Sequence, residues 1–161
     1  MKYITPANVK IGHVHLKVAN LDLSLKFYCD VLGFTIKQRV DDQVAFIAAG
    51  DYHHHIGLNT WESKNGTPPE LGTTGLYHTA ILYPTRKDLS NIYKRLIQYN
   101  IELTGASDHG VSEALYLNDP DKNGVELYWD KPQKLWPFDP EGHLKMFTKA
   151  LDLDSLLSLS N

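Results

Sequence analysis

The stretch Gly12-His13-Val14-His15-Leu16-Lys17-Val18 returns in outline 65 residues later as Tyr77-His78-Thr79-Ala80-Ile81-Leu82. In the first copy Val14, Leu16 and Val18 alternate with His13, His15 and Lys17, the period of a strand with one buried face. An amphipathic helical pattern follows each strand, Leu21 to Leu32 in the first copy and Arg86 to Tyr99 in the second. Leu25, Tyr28, Cys29 and Leu32 form the inward stripe of the first helix, and Gly33 stands where it should stop. Further strands are expected at 34–40, 43–48 and 54–60, then near 101–106, 112–118 and 124–129, with Asp41-Asp42, Gly50-Asp51 and the Asn118-to-Gly124 run as turns. The order β-α-β-β-β therefore occurs twice, which predicts an α+β fold of paired modules.

The 161 residues suit one domain: module 1 at about 8–61, a polar linker at 62–74, module 2 at about 75–130 and a tail at 131–161. The tail belongs to neither repeat. Its leucine-rich end, Leu151 to Leu159, reads as a short helix packing on the domain or on a second subunit, and Trp136 and Phe138 suit a homodimer. A formal charge of −3 without a basic cluster argues against a nucleic-acid partner. No apolar run reaches membrane-spanning length and the start lacks a signal-peptide pattern, so no membrane role and a cytoplasmic location are expected. Cys29 alone cannot form an internal disulfide and reads as a small buried hydrophobe.

Three residues point to chemistry. His13 and His78 open equivalent strands, and Glu126 faces away from Val125 and Leu127 in the last strand, Val125-Glu126-Leu127-Tyr128-Trp129. A carboxylate set among apolar neighbours needs a counter-charge or a metal. Two histidines and one carboxylate on one side of a metal leave open positions, the donor set of non-haem Fe(II) enzymes, although zinc, nickel or manganese could use it. The plainer alternative makes the histidines satisfied core residues and pairs Glu126 with a surface lysine. His55, His109 and Tyr116 can each hold or move a proton near such a site. His55, in the expected fourth strand of module 1, is taken as the counterpart of Glu126 in module 2. His53 or His54 reads as a solvated strand edge, and His15 as a cavity-lining residue.

With these residues in place the chain resembles the vicinal oxygen chelate superfamily, which includes glyoxalase I, bleomycin-resistance proteins and type I extradiol dioxygenases. The likeness covers roughly residues 8–130 and rests on three stretches: the Gly12-to-Val18 opening, the helix exit Phe27-Tyr28-Cys29-Asp30-Val31-Leu32-Gly33-Phe34, and the ending Asp119-Pro120-Asp121-Lys122-Asn123-Gly124-Val125-Glu126. Within it, His54-His55-Ile56-Gly57-Leu58-Asn59 and the run from His109 through Tyr116 to Glu126 look most similar to catechol 2,3-dioxygenases. The resemblance implies an eight-stranded, open barrel-like cleft. It implies Fe(II) on His13, His78 and Glu126, with His55, His109 and Tyr116 as catalytic groups around it. Substrate and co-substrate would be a catechol-type aromatic diol and O2, and the product a ring-opened semialdehyde or related acid.

The chain departs from many extradiol enzymes in carrying one pair of modules instead of two, and the separation of His55 from His78 is short. Two rival functions share the fold. A glyoxalase-like zinc or nickel lyase or isomerase commonly draws a second acidic ligand from the first module, where this chain has His55. A binding protein that sequesters an aromatic compound or drug has no use for a metal triad.

Overall fold

The computed structural model describes residues 2–160, and the chain divides between Thr67 and Pro68 into two compact units. In the first, β1 (Val14–Lys17) runs to α1 (Leu21–Leu25), which continues as a π-helical turn over Lys26–Val31. Three strands follow: β2 (Thr35–Val40), β3 (Val44–Ala48) and β4 (Ile56–Asn59), giving a sheet of order β1-β4-β3-β2. β1 and β4 are parallel, while β4, β3 and β2 form an antiparallel run. The alternation read in β1 is borne out: Leu16 and Val18 are buried while His15 and Lys17 face solvent.

The first helix departs from expectation in its interior. Asn20 caps it, its side chain accepting from the Leu23 N–H at 3.1 Å. The π-turn makes the Leu32 N–H bond Phe27 O, five residues back, at 3.0 Å. The widened turn rotates the stripe, so that Phe27, Tyr28 and Val31 are buried and Cys29 is left only half-buried. Gly33, at φ +85°, ends the helix as anticipated.

The second unit repeats the plan with β5 (Thr79–Leu82), α2 (Arg86–Gln98), β6 (Gly105–Asp108), β7 (Ser112–Asn118) and β8 (Gly124–Asp130). Thr85 caps α2 through the Asp88 N–H at 3.1 Å. Leu115, Leu117, Val125 and Leu127 are buried on one face of the sheet, which leaves Tyr116 and Glu126 directly opposite each other on the other face.

The tail supplies more than the expected helix. Lys149–Ala150 forms β9, which pairs with Ser107 and Asp108 of β6 and makes this sheet five-stranded, in the order β5-β8-β7-β6-β9. α3 (Leu153–Leu157) packs on α2, burying Leu156, and the buried Ser90 hydroxyl donates to Leu156 O at 2.6 Å. Arg86 Nε donates to the buried Glu113 carboxylate at 2.6 Å and so ties α2 to β7. Among the described residues no helix is long and apolar enough to cross a membrane.

Candidate functional site

Strand registers give the correspondence between the two sheets. Thr79 pairs with Val125 as Val14 pairs with Ile56, an offset of 65 in the first strands and 69 in the last. His78 therefore matches His13, each standing one residue ahead of its strand. The equivalence expected between His55 and Glu126 does not hold. Glu126, opposite Ala80, matches Gly57, opposite His15, while His55 matches Gly124. Strand β4 also begins two residues later than expected, leaving His54 and His55 with His53 in the preceding loop, where Tyr52 stacks on His53 at 4.2 Å and His53 Nδ1 lies 2.7 Å from His54 Nδ1.

Within the second unit a continuous chain of hydrogen bonds crosses the exposed face of the sheet. His78 Nε2 lies 2.9 Å from Glu126 Oε2, and the Tyr116 hydroxyl donates to Glu126 Oε1 at 3.1 Å. Tyr116 Oη is 2.7 Å from His109 Nε2, and His109 Nδ1 lies 3.2 Å from Thr148 Oγ1. Gly124 permits this assembly: a Cβ there would come within 2.1 Å of Tyr77 O and 3.1 Å of His78 Cβ, so a side chain would push His78 off the sheet.

Burial first, then the charge and hydrogen bond of Glu126, push the Tyr116 phenol up to about 12, so it remains a proton donor. Glu126 pairs with His78 rather than with the surface lysine of the plainer alternative. Its side chain is only 13 % exposed. A cavity of about 600 Å³ opens before this network, lined among others by Leu76, Tyr77, His78, His109, Tyr116 and Val125. Its lining is mixed, with Thr104, Asn118 and Lys122 adding polar groups to those of the network.

In the first unit His13 is exposed and its ring stacks on His54 at 4.4 Å. His54 is held below the ordinary histidine range by burial, then by the neighbouring His13, His53, His15 and His55. His15 is lowered likewise, by burial and by His13, and its ring fills the space that Gly57 leaves beside β4. His55 Nδ1 accepts from the Ala49 N–H at 3.3 Å, which places the proton of the neutral ring on Nε2. Cys29, its thiol pushed up to about 11 by burial and by Asp30, is poorly suited to act as a nucleophile.

The residues of the second unit fit a metal. Two donor atoms each about 2.1 Å from one ion at a right angle would stand about 3 Å apart, and His78 Nε2 and Glu126 Oε2 are 2.9 Å apart. His78 Nδ1 is buried without a hydrogen-bond partner, and the Glu126 carboxylate, which can only accept, keeps the ring's proton on Nε2, a proton that metal binding would release. Among the described residues no three His, Cys, Asp or Glu donors gather around one point.

The fold defines an α+β protein built from two repeats of one β-α-β-β-β plan, and a family model places it: residues 10–127 match the Glyoxalase/Bleomycin resistance protein/Dioxygenase superfamily, and the chain belongs to that superfamily. It is similar to the catechol-2,3-dioxygenase of Bacillus subtilis (strain 168), with 44 % identity over 148 residues, 91 % of this chain and 50 % of that protein. It is also similar to biphenyl-2,3-diol 1,2-dioxygenase 3 of Rhodococcus globerulus, with 34 % identity over 129 residues, 79 % of this chain and 65 % of that one. The chain thus spans between half and two thirds of the length of these curated relatives. A glyoxalase/dioxygenase crystal structure from Nostoc punctiforme shares the fold at a TM-score of 0.67 and 19 % identity, covering 82 % of this chain and 99 % of that one.

Proposed function

We propose that the chain works as an Fe(II)-dependent extradiol dioxygenase that cleaves a catechol-type aromatic diol with O2 in the cytoplasm, its metal ligands being His13, His78 and Glu126. The observation that carries the reading is Glu126, a largely buried carboxylate whose visible partners are His78 and the Tyr116 hydroxyl. His13 enters the set through its equivalent place ahead of β1. When bound, Fe(II) would supply open coordination positions and the electron that triplet oxygen needs.

The protein's own groups have distinct tasks. Tyr116, held protonated, donates to Glu126 at rest and can turn its hydroxyl to a substrate oxygen in the cavity. His109 supports that hydroxyl from behind at 2.7 Å. His55 begins with its proton on Nε2 and so first acts as a donor, to a substrate oxygen or to a ring-opening product. Leu76 and Tyr77 offer apolar surface for an aromatic ring. A glyoxalase-like site would need a further acid from the first module, but the register partner of Glu126 there is Gly57, which has no side chain to give.

The test is oxygen uptake. Protein purified anaerobically and loaded with Fe(II) is mixed with catechol while the oxygen level and the appearance of a yellow ring-cleavage product are followed. Uptake with yellow product is expected. Tightly held zinc or nickel without uptake would shift the reading to a lyase or isomerase, and absence of metal binding to a non-enzymatic binder.

A further inference from the structure

The tail lies wholly beyond residues 10–127, yet it reaches the hydrogen-bond chain of the site. Phe147 N–H donates to His109 O at 3.3 Å, and β9 then pairs with β6, the strand that leads into His109. Gly110, at φ +80°, allows this closeness, since a Cβ there would stand 2.7 Å from the Phe147 ring and 2.9 Å from Pro137. Two groups of the tail then face His109 Nδ1: the Thr148 hydroxyl at 3.2 Å and the Phe147 carbonyl at 3.3 Å.

Counting protons along the chain assigns each a different effect. The single hydroxyl hydrogen of Tyr116 goes to Glu126 Oε1, a carboxylate oxygen that can only accept. The 2.7 Å contact between Tyr116 Oη and His109 Nε2 therefore needs its hydrogen from the imidazole, and Nε2 must carry N–H. In the neutral ring Nδ1 is then a bare acceptor. The Phe147 carbonyl has no hydrogen to offer it and favours the opposite tautomer, whereas the Thr148 hydroxyl can donate.

We propose that Thr148 is a positioning residue: its hydroxyl, donating to His109 Nδ1, holds His109 as the Nε2–H tautomer and so keeps the Tyr116 hydrogen directed at Glu126. Without that hydroxyl the carbonyl of Phe147 is left alone at Nδ1, the imidazole proton moves to Nδ1, and Nε2 becomes an acceptor that draws the Tyr116 hydrogen away from Glu126. The tautomer follows from the geometry alone; its consequence for turnover rests on the dioxygenase reading above.

Nitrogen-15 NMR of the ring nitrogens of the full chain without metal, at about pH 8 where histidines are neutral, tests it, with His109 assigned by its loss in His109→Gln. The wild type should show a protonated Nε2 and a bare Nδ1, Thr148→Val the reverse, and Thr148→Ser the wild-type pattern. A protonated Nδ1 in the wild type, an unchanged pattern in Thr148→Val, or a reversed one in Thr148→Ser would overturn the assignment. In the iron-loaded protein Thr148→Val should lower kcat about tenfold, the worth of one hydrogen bond, and Thr148→Ser should restore it. A reversed tautomer in a protein that takes up no oxygen with catechol would leave the Thr148 role standing and remove the dioxygenase reading instead.

Discussion

Gly57 and Glu126 occupy the same register position in the two sheets, Gly57 opposite His15 and Glu126 opposite Ala80. Where the second sheet puts a carboxylate beside a small residue, the first puts a histidine beside none. The repeat is thus symmetric in backbone and asymmetric in chemistry: the second unit offers both a histidine and an acid, and the first offers histidines only.

That arrangement predicts the effect of filling position 57. A Cβ there would stand 2.9 Å from His15 Cγ, so the imidazole must swing out of its place near Phe46 and Trp61, to which it is 5.9 and 5.6 Å between ring centroids. Gly57→Ala should lose about 1 kcal/mol of stability in urea unfolding, the low end for an overpacked site because the ring can move. It should also shift the His15 ring resonances. Unaltered stability with unmoved His15 signals would contradict this packing.

Tyr116→Phe removes the hydroxyl that joins Glu126 to His109 while keeping the ring. It should leave the protein folded and its iron content intact, and lower kcat with catechol by about 100-fold, the scale of a lost proton donor. Loss of iron in this variant would instead make Tyr116 a support of the metal ligands.

Stability should fall in acid through Asp108. Burial pushes its carboxyl up, but the hydrogen bonds from Lys131 and the Gly110 N–H, with the charges of Lys131 and Lys149, outweigh it and hold it below the ordinary carboxylate range. A lowered folded pKa gives stability that is fully present above the unfolded value and is lost as pH falls through the folded one. The difference in urea midpoint between wild type and Asp108→Asn should therefore be greatest near neutrality and shrink below about pH 4. A gap that stays constant across that range would show that the Lys131 pair contributes nothing through charge.

Much of the framework was legible because period-2 alternation is a local signal: the buried set of β1, and the outward Glu126 between Val125 and Leu127 in β8, follow from it directly. The helix of the second module was equally plain from its amphipathic pattern, expected over 86–99 and found as Arg86–Gln98. Three features were not. The π-turn at Lys26–Val31 depends on which carbonyl each N–H selects, and composition does not encode that choice. β9 is two residues long and has no periodicity to read, although it brings Thr148 to His109. The match of Glu126 with Gly57 was hidden because the second module is four residues longer between its first and last strands, so counting strands pointed to His55. His78, Glu126, Tyr116 and His109 were all named from sequence, and the structure joins them in one chain of contacts.

The proposed ligand set is tested most directly by anaerobic Fe(II) titration of the wild type and of His13→Ala, His78→Ala and Glu126→Ala, with circular dichroism on each to confirm folding. One tightly held iron per chain in the wild type, lost in all three folded variants, is the predicted result. Iron retained at the wild-type level by any of the three would contradict the assignment of that residue, and with it the shared His13, His78 and Glu126 centre.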